Sequence, residues 1–173
     1  MIQLTTQEFA AGTMQPLPMV LLAVALLWFL LCGIVLFVID VQEHRLPNSW
    51  TALLFSGAAV LLVAGTLTAG QDSVLAGRWL MTLLGSASYL AIMFILHVIT
   101  RAGVGMGDVK LAAGLGLYTG FIGVETLIAG FVLAFVIGGF HALFLVVFRG
   151  AKKTTRIAFG PAMLIAATAC MLM

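Results

Sequence analysis

The sequence is short of charge. Only 8% of its 173 residues are Asp, Glu, Lys or Arg, where a soluble globular domain carries roughly 25%. With 63% hydrophobic residues and a mean hydropathy of +1.22, the composition excludes a solvated enzyme and leaves no room for a separate soluble domain. It fits an all-α, polytopic membrane protein. The formal net charge of +2 is too small to suggest nucleic acid as a partner. Cysteine is scarce as well. Cys32 and Cys170 lie inside apolar runs and form no CxxC pair, so the paired spacing of a zinc site is missing. Both thiols read as core or lipid-facing residues. His44, His97 and His141 are far apart and show no HxxxH spacing. No metal or other cofactor is therefore expected. Long linkers, low-complexity tracts and internal repeats are also missing.

What the chain does have is apolar runs. A spanning helix needs about 20 mostly apolar residues. Six segments fit, at about residues 17–39, 50–69, 79–100, 106–122, 124–148 and 157–173, in one membrane-embedded domain. The first has no basic residues before it, exceeds a signal-peptide core in length and shows no clear small-x-small cleavage site, so it is expected to remain as a helix. The connections are short. Residues 40–49 form the first loop, where Pro47 ends helical continuation and Asn48 or Ser49 can cap the next helix. Basic residues distribute unevenly among the connections. Arg45, Arg101, Lys110, Arg149, Lys152, Lys153 and Arg156 fall on one side, and Arg78 alone on the other. Basic connections stay in the cytoplasm, which puts both termini outside and these three connections inside. Lys152 and Lys153 read as topology signals and contacts to anionic lipid.

The six acids sort by position. Glu8 in the N-terminal tail and Asp72 in an outer loop are expected to be solvated, and Glu125 sits near the outer end of its helix. Asp40 and Asp108 differ. Asp40 closes the first helix after "GIVLFVI", and Asp108 opens the fourth, which places both near the cytoplasmic face. Ionisable groups at such depth are usually functional. Two carboxyls brought together can share a proton and activate water. Spacing alone does not show that residues so far apart in sequence meet.

Around these acids stand three local motifs. The stretch "GVGMGDVKLAAGLG" carries Gly105, Gly107 and Asp108, with Lys110 following. "IDVQEHRLPN" carries Asp40, Leu46, Pro47 and Asn48, and "FGPAM" carries Phe159, Gly160 and Pro161. In this order and spacing they resemble the signatures of the type IV prepilin peptidases, which are GxGD membrane aspartic peptidases. The resemblance implies a six-helix GxGD fold that covers nearly the whole chain. It also implies endopeptidase activity on prepilin or pseudopilin precursors, cut at the cytoplasmic side between a short basic leader and a hydrophobic stretch. Asp40 and Asp108 carry over as the catalytic pair. Gly105, Gly107, Lys110, Pro47, Asn48, Phe159, Gly160 and Pro161 carry over as motif residues that shape the site.

The chain departs from the larger family members, which insert a zinc-binding CxxC domain near the front and also N-methylate the product. About ten residues separate the first two helices here, so neither methyltransferase activity nor zinc is expected. What remains is similar to the compact Flp-type (tight adherence) peptidases, with the preflagellin peptidases as an alternative. From the residues alone, a small proton or ion transporter using the same acids stays open, as does a non-catalytic scaffold. The helix dipole favours charge on Asp108 and disfavours it on Asp40, which makes Asp108 the expected base towards water. The glycines before Asp108 are expected to loosen the helix start and admit a neighbouring backbone. Gly116 and Gly120 read as a tight packing pair. Lys110 either snorkels to headgroups or orients the site. Neither the identity of the substrate nor the oligomeric state is legible.

Overall fold

The computed structural model describes residues 2–12, 15–100, 103–149 and 159–172. Arg101, Lys152, Lys153 and Arg156, which carry much of the expected charge bias, lie outside the described residues, as do the first residues and the last residue of the sixth expected segment. The described residues are helical almost throughout. The helices are α1 (Ile2–Ala11), α2 (Pro16–Glu43), α3 (Asn48–Leu67), α4 (Arg78–Ile99), α5 (Met106–Ile122), α6 (Val124–Arg149) and α7 (Gly160–Leu172). Helices α2 to α7 correspond to the six apolar runs. Helix α1 was not expected, because "IQLTTQEFAA" mixes Thr, Gln and Glu with its apolar residues and is too short to stand out.

Among the described residues four stretches are long and apolar enough to cross a membrane: Pro16–Glu43, Asn48–Leu67, Arg78–Ile99 and Val124–Phe144. Helix α5, with 17 residues, and α7, with 13, are shorter. Length and position go together. The long helices turn large apolar side chains outward, among them Leu27 and Ile34 on α2, Ile95 on α4 and Phe140 on α6. In water such a surface would be a liability; against lipid it is the expected one. Helix α5 is the opposite case. From Leu111 to Phe121 every residue is buried, and the helix packs on α3, α4, α6 and α7. It is the core of the bundle.

Small residues make that central position possible. A Cβ added at Gly116 would meet the Gly85 carbonyl oxygen at 2.6 Å, and one at Gly120 would meet the Gly85 Cα at 2.7 Å. The α4 and α5 backbones therefore touch, as the GxxxG reading expected. Polar side chains add fixed points across the core. The Ser86 hydroxyl donates to the Ala113 carbonyl at 2.8 Å, and the Tyr118 hydroxyl donates to the Ala25 carbonyl on α2 at 2.9 Å. At one end of the bundle Arg78 donates to the carbonyls of Phe121 and Ile122 at 3.0 and 2.8 Å. It satisfies carbonyls that the end of α5 leaves without helical partners.

Glu8 corrects an expectation. It is not solvated but 1% exposed. Its carboxylate accepts the Ser73 hydroxyl at 2.6 Å and the Leu75 N–H at 3.2 Å, and it attracts the Arg78 guanidinium. Its partners come from the α3–α4 connection, which the tail sequence gave no means of foreseeing. Asp72 is exposed, as expected, and Glu125 is exposed as well.

Candidate active site

The opposite end of the bundle gathers the three motifs. Helix α2 runs on past Asp40 to Glu43, so the expected ten-residue loop shrinks to the four residues 44–47. The Asp40 carbonyl accepts the His44 N–H at 3.0 Å, and His44 closes the helix in the left-handed conformation with φ 52°. Such a cap turns the chain sharply. Asp40 therefore sits inside the last turn of a rigid helix and not on a loose connection. Its side chain is 3% exposed.

Pro47 is the residue before α3, with φ −69° and ψ 134°, and its carbonyl accepts the Thr51 N–H at 3.2 Å. No side chain caps this helix. The expected capping by Asn48 or Ser49 is thus not what the structure shows. Asn48 is the first helical residue, and its Oδ1 accepts a hydrogen bond from Lys110 Nζ at 2.7 Å. Of the two readings of Lys110, this contact favours orientation of the site over snorkelling.

Asp108 lies in the first turn of α5 and is 9% exposed. Its Oδ2 accepts the N–H of Gly105, the residue that caps the helix, at 3.2 Å. A helix N-terminus with a carboxylate in its first turn is a favourable local arrangement. The glycines here serve a different end from the one expected. Gly103, Gly105 and Gly107 all keep ordinary backbone conformations, and α5 starts regularly at Met106. What they provide is space. A Cβ on Gly107 would lie 3.0 Å from the Leu46 Cβ, and one on Gly105 would lie 3.0 Å from Asp108 Oδ2.

Leu46 links all three motifs. Its side chain rests on Gly107 of α5 and on Gly160, the first residue of α7. Gly160 in turn stands against Asp40, where an added Cβ would come within 2.5 Å of Oδ2. Phe159 and Pro161 flank this contact. The Phe159 ring fills the space over Gly138 and packs on Phe135 with ring centroids 5.1 Å apart, while Pro161 is buried in the first turn of α7, where its missing N–H costs no helical bond. Sequence reasoning missed one support. His97 Nδ1 bonds the Val104 carbonyl at 2.7 Å and ties the end of α4 to the segment that leads into Asp108. Proximity to the glycine motif was the only available hint.

The electrostatics follow from this packing. Asp40 and Asp108 lie close enough to repel one another as carboxylates. Asp40 Oδ2 is buried and has no hydrogen-bond partner among the described residues. Buried polar atoms are nearly always satisfied, so this atom stands apart, with the Gly160 backbone the polar group near the same carboxylate. Among the described residues Asp108 accepts one hydrogen bond, from the Gly105 N–H. Among the described residues no group of three or more His, Cys, Asp or Glu is placed to hold a metal ion. Two buried acids at one end of a helical bundle are the groups that acid–base chemistry would use there.

Comparisons with known proteins place the chain in a family. The type IV leader peptidase family matches residues 24–143, a span that includes both acids and the Leu46–Pro47–Asn48 turn. Over 129 residues the chain is 31% identical to the prepilin leader peptidase/N-methyltransferase of Bacillus subtilis (strain 168), an alignment that covers 75% of this chain and 47% of that protein. The chain thus spans about half the length of that curated relative. No solved structure gives a significant match. On the family match and this relative, the chain is a member of the type IV leader peptidase family.

Proposed function

We propose that this protein is a membrane-embedded aspartic endopeptidase that removes the leader peptide from prepilin or pseudopilin-like precursors. What supports the reading is that two buried acids, Asp40 at the end of α2 and Asp108 in the first turn of α5, belong to segments joined through Leu46 and Gly160, in a chain of the leader peptidase family. In the proposed mechanism the pair holds one proton between its two carboxyls. The ionised carboxylate takes a proton from water as the water oxygen bonds to the scissile carbonyl carbon. The neutral carboxyl gives its proton to the carbonyl oxygen. Collapse of the tetrahedral intermediate then breaks the C–N bond: the leaving nitrogen takes a proton from the pair, and the pair takes one back from a hydroxyl of the intermediate as the carboxyl product forms. The helix dipole favours Asp108 for the first role, and its Gly105 hydrogen bond supports that choice.

The bias of basic residues supports six spans with both termini outside and the acid end at the cytoplasmic face of the inner membrane. Helices α5 and α7 would cross with help from their neighbours, since α5 is enclosed by protein. The four-residue turn between α2 and α3 leaves no inserted domain at the point where bifunctional relatives carry theirs. Cleavage without N-methylation, of the Flp type, is therefore the expected activity, with the lipid bilayer and the precursor as partners.

Co-expression with a pilin precursor from the same genome tests this. The expected result is a mobility shift of the precursor that disappears with Asp108→Ala. Failure to process any pilin-like precursor would overturn the proposal.

A further inference from the structure

On the peptidase reading above, we infer that His97 is a positioning residue for Asp108 and acts on it through a single peptide unit. His97 stands in the last turn of α4, half-buried, with its Nδ1 2.7 Å from the Val104 carbonyl oxygen. A carbonyl only accepts, so Nδ1 carries the hydrogen. The other end of the same peptide unit is the Gly105 N–H, which donates to Asp108 Oδ2 at 3.2 Å. This peptide is planar and trans, so its C=O and N–H point in opposite directions. Fixing the oxygen at one end therefore aims the hydrogen at the other. A carbonyl that accepts a hydrogen bond also makes its own peptide N–H a stronger donor.

The glycine explains why such a hold is needed. A Cβ on residue 105 would lie 3.0 Å from Asp108 Oδ2, so a larger residue would crowd the carboxyl. Glycine gives room there, and it also leaves the backbone freer to turn. Gly105 is exposed and precedes the first residue of α5, so its N–H lies outside the helical ladder. Thr100 fastens the segment just before it, accepting the Gly103 N–H at 3.1 Å and the Val104 N–H at 3.3 Å. Neither bond touches the Val104–Gly105 peptide. Among the described residues His97 alone bonds its carbonyl, and Asp108 alone receives its N–H. In the proposed reaction the Asp108 carboxylate takes a proton from water. Displacing a reacting group by about an ångström costs about 100-fold. His97 keeps the one described donor of that carboxyl aimed, without itself touching substrate.

The test uses the full chain, purified in lipid or detergent, with a synthetic precursor peptide spanning a leader and its hydrophobic stretch. His97→Phe keeps a ring beside Phe94, on which the imidazole stacks with centroids 6.4 Å apart, and removes the donor. His97→Asn gives up the ring and keeps an N–H donor on the atom that corresponds to Nδ1. His97→Phe is expected to lower kcat by about 10-fold with KM nearly unchanged, and His97→Asn to restore most of it. A second readout needs no substrate. Val104–Gly105 is the one Val–Gly step in the sequence. Labelling valine with carbon-13 at the carbonyl and glycine with nitrogen-15 therefore isolates a single NMR signal. In His97→Phe the Val104 carbonyl carbon and the Gly105 amide proton should both move upfield, and both should return in His97→Asn. A Gly105 proton that does not move in His97→Phe would overturn the relay. So would wild-type kcat in His97→Phe, a loss confined to KM, or a loss that His97→Asn leaves in place. A wild-type chain that cuts no precursor overturns the peptidase reading and the kinetic role with it, while the Gly105 proton still decides whether His97 holds the peptide.

Discussion

Each end of the bundle buries an acid, and the two ends treat it in opposite ways. Glu8, where α1 docks, is held by the Ser73 hydroxyl and the Leu75 N–H and faces the Arg78 cation. Arg78 in turn holds the last carbonyls of α5. That end is a satisfied network, and satisfied buried networks rigidify. At the other end Asp40 Oδ2 has no described partner and a second acid nearby. That arrangement does not stabilise the fold. The comparison teaches that burial of a carboxylate does not by itself mark function, because a buried acid with its full set of partners serves the fold.

Substitutions can break this contrast. The largest effect is expected at the unsatisfied end. Asp40→Asn or Asp108→Asn should lower precursor cleavage by about 10³-fold or more, and the double variant should be little worse than either single one. Single-turnover assays would show this, and thermal melts should show no loss of stability, because a repulsive contact is removed. Gly160→Ala comes next. Its Cβ would meet Asp40 Oδ2 at 2.5 Å and Leu46 Cδ1 at 3.3 Å, and moving a reacting group by about an ångström costs about 100-fold. Cleavage that proceeds normally in this variant would show that Asp40 has slack the packing denies.

Smaller effects belong to stability. Glu8→Ala leaves the Leu75 N–H and the Arg78 cation with less partnership in a buried place, which should cost about 3 kcal/mol. Denaturation in detergent would measure that loss. Its kcat at a permissive temperature should match wild type, and a large fall in kcat would erase the distinction between the two ends. Tyr118→Phe removes one hydrogen bond between α5 and α2, with an expected loss of about 1 kcal/mol and no change in cleavage.

Much of the candidate site is readable from residue order. Asp40 and Asp108 stand out because charge is rare in apolar runs, and Leu46–Pro47–Asn48 and Phe159–Gly160–Pro161 stand out as turn-forming motifs. The contacts between them are not readable. Nothing local says that Leu46 rests on Gly107 and Gly160, or that Lys110 reaches Asn48. Glu8 was misjudged because its partners lie 65 and 67 residues away. The role of Gly107 was also misplaced. A glycine-rich helix start suggests unusual backbone, whereas the structure keeps the backbone regular and uses the missing side chain as room for Leu46.

Composition and hydrophobic runs determined by themselves that the chain is a helical membrane protein, roughly where its long helices lie, and which two acids are out of place in them. These are local properties, set by the cost of exposing backbone and charge to lipid. Only the tertiary structure decided that α5 lies at the centre, that Glu8 is a structural clasp, and that Leu46 joins the segments carrying the two aspartates. Those outcomes depend on how closely helices approach. Approach is governed by which side chains are missing at Gly85, Gly107, Gly116 and Gly160, and a missing side chain takes its meaning from the neighbour that fills the space.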